Sequence, residues 1–135
     1  MRSSLMVLAV GAAGVVLLAA CGNSTSPYGG GGGGGGCTPT TTKVCMAATS
    51  FNPTNLMIAA GVTVTWQNGS SATHTVTSSS SSTETFNSGN PPAGVAPGGT
   101  FTHTFSTAGT YHYYCQYHGA DGNPPTGMAG TITVQ

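Results

Sequence analysis

From residue 37 onward the sequence predicts an all-β sandwich, and three observations predict it. No stretch long enough for a helix keeps a 3.6-residue apolar period. Glycine, proline, serine, threonine and asparagine instead cut the chain into short pieces. About seven of those pieces alternate apolar and polar residues at turn-separated intervals, the pattern of a sandwich or barrel of short strands.

Taken in order, Lys43–Ala48 and Leu56–Ala60 read as strands separated by the turn-rich SFNPTN. After a turn at Gly61, Val62-Thr63-Val64-Thr65-Trp66 alternates and stops at the turn signal Asn68-Gly69. His74–Thr77 reads as a short strand running into the serine run Ser78–Ser82. Proline and glycine dominate from Thr83 to Gly99, leaving room only for a brief strand or a turn of helix. Phe101–Phe105 alternates again, and Tyr111–Cys115 and Gly130–Val134 close the chain. In Tyr111–Cys115 the side chains of 111, 113 and 115 share one face, with His112 and Tyr114 on the other. Two aromatic rings therefore pack the core beside Cys115, which puts the thiol at the inner rim of the sandwich. Met46 and Met57 are expected in the core, and His103 and His112 on the outer face as solvated polar residues.

The N-terminal third is of another kind. Residues 1–20 carry Arg2 and then an apolar run from Leu5 to Ala20, shorter than the roughly 20 residues a membrane span needs. Such a run fits an export signal. It ends Leu18-Ala19-Ala20-Cys21, which resembles the lipobox of bacterial lipoproteins and implies that Cys21 is lipidated and becomes the mature N-terminus. An ordinary signal peptide with an incidental cysteine, or an uncleaved anchor, is the alternative. Residues 21–36 include eight consecutive glycines, Gly29 to Gly36, which can neither bury surface nor hold a fixed backbone. They read as a flexible tether with a reach on the order of 20 Å. No strand precedes these glycines and no helix follows, so a phosphate-cradling loop is excluded. The organisation expected is thus a signal over 1–20, a lipidated cysteine and tether over 21–36, and one domain over 37–135.

That domain is nearly chargeless: Lys43, Glu84 and Asp121 are its only charged side chains apart from any charge on histidine. It has no basic footprint for nucleic acid and no acidic patch.

Chemistry concentrates near the C-terminus, in YHYYCQYHGADGNPPTGMAG, residues 111–130. Cys115, His118 and Met128 follow one another there, and His74 lies at a distant boundary between loop and strand. A thiolate, two imidazoles and a weak axial thioether are the ligand set of a blue-copper electron-transfer site. Thiolate and thioether are soft and hold Cu(I), while imidazole suits both oxidation states.

Along most of residues 44–134 the domain resembles the cupredoxins of the plastocyanin, pseudoazurin and amicyanin type. SFNPTNLMIAAGVTVTWQN resembles the family's early strands, with Phe51, Pro53, Gly61 and Trp66-Gln67-Asn68 in register. THTV resembles the segment bearing its first histidine ligand. GTFTHTFSTAGTYHYYCQYH resembles the strand pair leading to its Cys-x-x-His, and GMAGTITV its methionine and closing strand. The resemblance implies a Greek-key β-sandwich of seven to eight strands, with one copper ion held by His74, Cys115, His118 and Met128. The sequence departs from the family at three points. Nine residues separate His118 from Met128, more than in plastocyanin-like proteins, and the polar, turn-rich ADGNPP is expected to bulge outward while the ligands keep their places. Tyr117 stands where proline is common. Thr75 and Gln116 occupy positions where the family often has an Asn and a Ser or Thr linking two loops, and a hydrogen bond from Thr75 to the Gln116 region could do that work.

The function implied is a membrane-tethered carrier of single electrons, extracytoplasmic and monomeric, with redox proteins such as a cytochrome or a copper enzyme as partners. A copper-handling protein that delivers or buffers the metal is the alternative. Oxidases and reductases with several coppers build their further sites from His-x-His pairs, and the chain has none. With Cys21 assigned to lipid and Cys115 to metal, Cys37 and Cys45 remain as a candidate disulfide in an exported chain. Such a link would stabilise by roughly 2–3 kcal/mol in the chain-entropy model; two reduced cysteines are the alternative. The resemblance also implies that the His118 ring edge reaches solvent through an apolar patch, here expected to include Tyr117, Gly119, Ala120, Pro124, Pro125, Pro91, Pro92 and Val95.

Overall fold

The computed structural model describes residues 36–135. The expected signal, the lipidation of Cys21 and all but the last residue of the tether lie outside the described residues. Those described fold into eight strands: β1 (Lys43–Met46), β2 (Phe51–Asn52), β3 (Asn55–Ile58), β4 (Val62–Asn68), β5 (Thr77–Ser78), β6 (Thr100–Phe105), β7 (Gly109–Ala120) and β8 (Thr126–Val134). Two four-stranded sheets, ordered β2-β1-β4-β6 and β3-β8-β7-β5, form an all-β sandwich. The chain changes sheet repeatedly, so β1 lies parallel to β4 and β3 parallel to β8, while the other pairings are antiparallel.

Alternation determines which side chains enter the space between the sheets. Val44 and Met46, Leu56 and Ile58, Val64 and Trp66, Tyr111, Tyr113 and Cys115, and Met128, Ile132 and Val134 all point inward and are buried. Trp66 sits among Phe86, Phe101, Phe105 and Tyr113, with ring centroids 5.4 to 6.2 Å away. Aromatic rings each bury a large apolar area, so this cluster is a major part of the core of so small a domain. The Tyr111 hydroxyl donates to the Thr107 carbonyl at 2.6 Å, anchoring the start of β7. Cys37 and Cys45 are joined by a disulfide, with Cα atoms 5.8 Å apart, which holds the N-terminal end of the described chain against β1.

Four expectations need correcting. Met57 is 64% exposed, because Leu56 and Ile58 take the inward face of β3 and period 2 turns Met57 out. His103 is not on the outer face: it shares a side of β6 with Phe101 and Phe105, stacks on Phe86 at 4.8 Å and contacts Glu84 Oε1 at 2.6 Å. The strand expected at His74–Thr77 begins only at Thr77, because the preceding backbone bonds elsewhere. His74 exchanges two hydrogen bonds with Val95, Thr75 N donates to Cys115 Sγ, and Val76 N to Ser88 Oγ. Residues 83–99 form neither a strand nor a helical turn; they meet the sheets through isolated bridges at Asn87 and Val95 and through single hydrogen bonds such as Thr83 N to the Thr110 carbonyl.

Candidate metal centre

The end of β4, the bulge of β7 and the start of β8 meet at one end of the sandwich. β4 stops at Asn68, whose side chain bonds the turn that follows and whose backbone pairs with Gly98 and Gly99, and the loop returns to the core at His74. β7 and β8 pair regularly as far as Tyr114↔Ala129, lose register, and resume at Gly119↔Gly127. Cys115 and His118 occupy that irregular stretch, and Met128 faces it from β8, 1% exposed. The bulge frees these candidate ligand residues from ladder geometry and re-aims their side chains.

His74 Nδ1 lies 3.5 Å from Cys115 Sγ, and His118 Nδ1 lies 3.6 Å from the same sulfur. All three donor atoms fall within 4.8 Å of one another. Nitrogen and sulfur ligands about 2.0–2.3 Å from one ion and about 120° apart stand roughly 3.7 Å from each other. The three donors are therefore spaced to share one metal ion, in a set of thiolate and imidazole with a buried thioether nearby in the chain. That donor chemistry fits copper.

His74 and Cys115 are wholly buried, whereas His118 is exposed. Burial lowers the His74 pKa and the neighbouring His118 lowers it further, so the ring is held in the neutral form that a metal needs. Thr75 N donates to Cys115 Sγ at 3.4 Å, tying the sulfur to the segment that carries His74. Gln116 N donates to Thr75 Oγ1 at 2.8 Å, linking the two ligand segments where the sequence suggested a link. Gln116 Nε2 reaches Asn90 Oδ1 at 3.2 Å, and the Tyr117 hydroxyl the Ala93 carbonyl at 3.4 Å, so the ligand loop also clasps residues 90–93.

The segment between His118 and Met128 does not simply bulge. It prolongs the β7–β8 hairpin, and its tip is tied to the serine run: Ser80 N donates to Asp121 Oδ1 at 2.9 Å and Ser81 Oγ to the Gly122 carbonyl at 3.1 Å. The expected apolar patch also needs revision. Val95 and Pro125 are buried, whereas Tyr117, Ala120, Pro124, Pro91 and Pro92 are exposed, with Gly119 half-buried. Sequence reasoning missed Ser70, whose Oγ lies 2.8 Å from His74 Nε2. Its only signal is a hydroxyl four residues before a ligand histidine.

A family model described as copper binding proteins, plastocyanin/azurin family, matches residues 39–135. Plastocyanin of Scenedesmus fuscus is 35% identical over 97 residues, spanning 63% of this chain and 86% of that protein. The chloroplastic plastocyanin of Tetradesmus obliquus is 33% identical over 97 residues, and there the match spans 63% of this chain but 58% of the relative. Among solved structures, a purple cupredoxin from Nitrosopumilus maritimus superposes with a TM-score of 0.54 at 28% identity, covering 70% of this chain and 99% of that one. A reduced amicyanin variant gives 0.55 at 26% identity, covering 69% and 80%. With its ordered motifs, its sandwich and its thiolate–imidazole cluster matched in this way, the chain belongs to the plastocyanin/azurin family of copper binding proteins, with a single copper ion as its cofactor.

Proposed function

We propose that the protein is a membrane-tethered, extracytoplasmic carrier of single electrons, with copper held by His74, Cys115, His118 and Met128. The observation that carries this reading is the split exposure of the donor set: two donors are sealed in the core and the third, His118, reaches the surface. Bound copper supplies the one-electron Cu(II)/Cu(I) couple, for which this donor set is suited. The chain's own residues keep the donors in place and provide the exit. The Thr75–Gln116 bond and the clasp on residues 90–93 limit rearrangement of the ligand loop. Burial keeps solvent from the Cys115 thiolate, and the His118 ring, with Tyr117 at 6.2 Å, offers a partner its contact. Related amicyanin structures are described in both reduced and oxidized states, which supports a cycling rather than a storing role.

In this reading the chain is not an enzyme and works as a monomer. A lipid on Cys21 holds it at a bacterial membrane, and its partners are redox proteins such as a cytochrome or a copper enzyme. In a bacterial host the full-length protein is expected in the membrane fraction, with Cys21→Ser moving it to the soluble one. The copper-loaded protein is expected to give a reversible one-electron wave with one copper per chain. Loss of copper to a chelator on each reduction cycle would contradict the carrier and favour delivery or buffering.

A further inference from the structure

Each hydrogen-bonding proton around His74 can be counted. The Asn68 side-chain amide donates twice, to the Ala72 carbonyl at 2.7 Å and to the Val95 carbonyl at 2.8 Å. Both of its N–H groups are thereby committed, and the reversed amide would set its oxygen against two carbonyl oxygens. Asn68 Oδ1 is consequently an acceptor, and it takes Ser70 N at 2.9 Å and the Ser70 hydroxyl at 2.8 Å. The hydroxyl has one proton, and the alternative acceptor, the Ala72 carbonyl at 3.1 Å, is farther and already bonded. Ser70 Oγ then has only lone pairs left. One accepts Ala72 N at 3.2 Å and the other faces His74 Nε2 at 2.8 Å. Only an Nε2–H completes this set, which leaves the Nδ1 lone pair directed toward Cys115 Sγ.

We infer that Ser70 is a positioning residue of the metal centre: backed by Asn68, it sets the tautomer and ring orientation of His74 before any metal arrives. The information originates in two backbone carbonyls, of Ala72 and Val95, and passes through an amide and a hydroxyl to a ring that is wholly buried. A histidine ligand fixed through its second nitrogen is a better and less labile donor, and loss of such a partner typically weakens metal binding about 10–100-fold. The inference rests on His74 being a ligand, as proposed above.

The test compares full-length wild type with Ser70→Ala and Ser70→Thr. In the metal-free proteins, imidazole 15N chemical shifts are expected to show His74 wholly as the Nε2–H tautomer in wild type and Ser70→Thr, and as a mixture in Ser70→Ala. In the Cu(II) proteins, transfer of metal to EDTA is expected to be about 10-fold faster or more in Ser70→Ala, with Ser70→Thr close to wild type and thermal midpoints recorded alongside. An unchanged tautomer and unchanged transfer rate in Ser70→Ala would overturn the positioning role alone, provided that wild type holds copper. Faster loss in both variants, in proportion to lost thermal stability, would make Ser70 merely structural and equally overturn it. A wild-type chain that takes up no copper would instead sink the ligand assignment.

Discussion

Thr75 Oγ1 accepts the backbone amide of Gln116 at 2.8 Å, joining the residue after His74 to the residue after Cys115 across 41 positions of sequence. The segments carrying two of the proposed ligands, from distant parts of the chain, are thus held by a direct bond within the protein. Thr75→Val keeps the shape and removes the acceptor, leaving the Gln116 amide without its partner. Urea unfolding of the metal-free variant should show a loss of about 1–3 kcal/mol. Stability equal to wild type would mean that the two loops are held by packing alone.

Met128 is buried at the start of the inward-facing run of β8. If Met128 is the weak fourth donor proposed above, it would stabilise Cu(II) relative to Cu(I), and Met128→Leu should keep copper and raise the reduction potential. Voltammetry reads this directly, and an unchanged potential would assign the axial position to another group.

Gly127 has φ +73°, and a Cβ there would stand 2.6 Å from the His118 carbonyl oxygen. Gly127→Ala should therefore combine a left-handed backbone penalty of about 1–2 kcal/mol with displacement of His118, a proposed ligand. Gly98 has φ +75° and nothing within 4 Å of its added Cβ. Gly98→Ala should then lower the thermal midpoint without altering the copper spectrum, while Gly127→Ala alters both.

Asp121 accepts backbone amides from Ser80 at 2.9 Å and Gly122 at 2.8 Å, and the Ser80 bond above all holds its carboxyl below the usual range. The folded pKa lies under the unfolded one. The bond's contribution is therefore complete above the ordinary carboxylate pKa of about 3.9 and is lost as pH falls through the lower folded value. NMR titration should find Asp121 ionising below that ordinary value. In Asp121→Asn the Ser80 amide should exchange faster, since a charge-assisted acceptor is gone.

Charge steering of partners should be weak, because the domain's charged side chains are only Lys43, Glu84 and Asp121. Electron-transfer rates to a physiological partner should change little between low and moderate ionic strength. Gly119 is a poor place to test the docking face, since a Cβ there would meet the Thr126 and Met128 carbonyl oxygens at 2.8 and 2.9 Å. Ala120 is exposed, and Ala120→Lys should slow transfer. A steep salt dependence in wild type would show that the partner reads the few charges instead.

Much of this was legible because period 2 and ligand spacing are local. The alternation of Tyr111, Tyr113 and Cys115 placed the thiol at the rim of the core, and Cys115, His118 and Met128 mark the ligand loop without any fold. His103 obeys the same alternation with Phe101 and Phe105, yet its polarity argued for the outer face. What keeps it inward is Glu84 and Phe86, which arrive from the irregular segment before β6. The tied hairpin tip and the chain from Asn68 through Ser70 to His74 were not legible. Each depends on which carbonyl or amide a polar side chain meets after folding, and Asn68-Gly69 on its own reads only as a turn.

The central claim is that Cys115, with His74 and His118, binds one copper ion as a thiolate centre. Visible absorption and electron paramagnetic resonance of the copper-loaded protein test it most directly. The account predicts intense blue to purple absorption and a small copper hyperfine splitting, one copper per chain, and loss of both features in a still-folded Cys115→Ser. Colour that persists in Cys115→Ser, or a wild type that binds copper with only the spectrum of nitrogen and oxygen ligands, would contradict it.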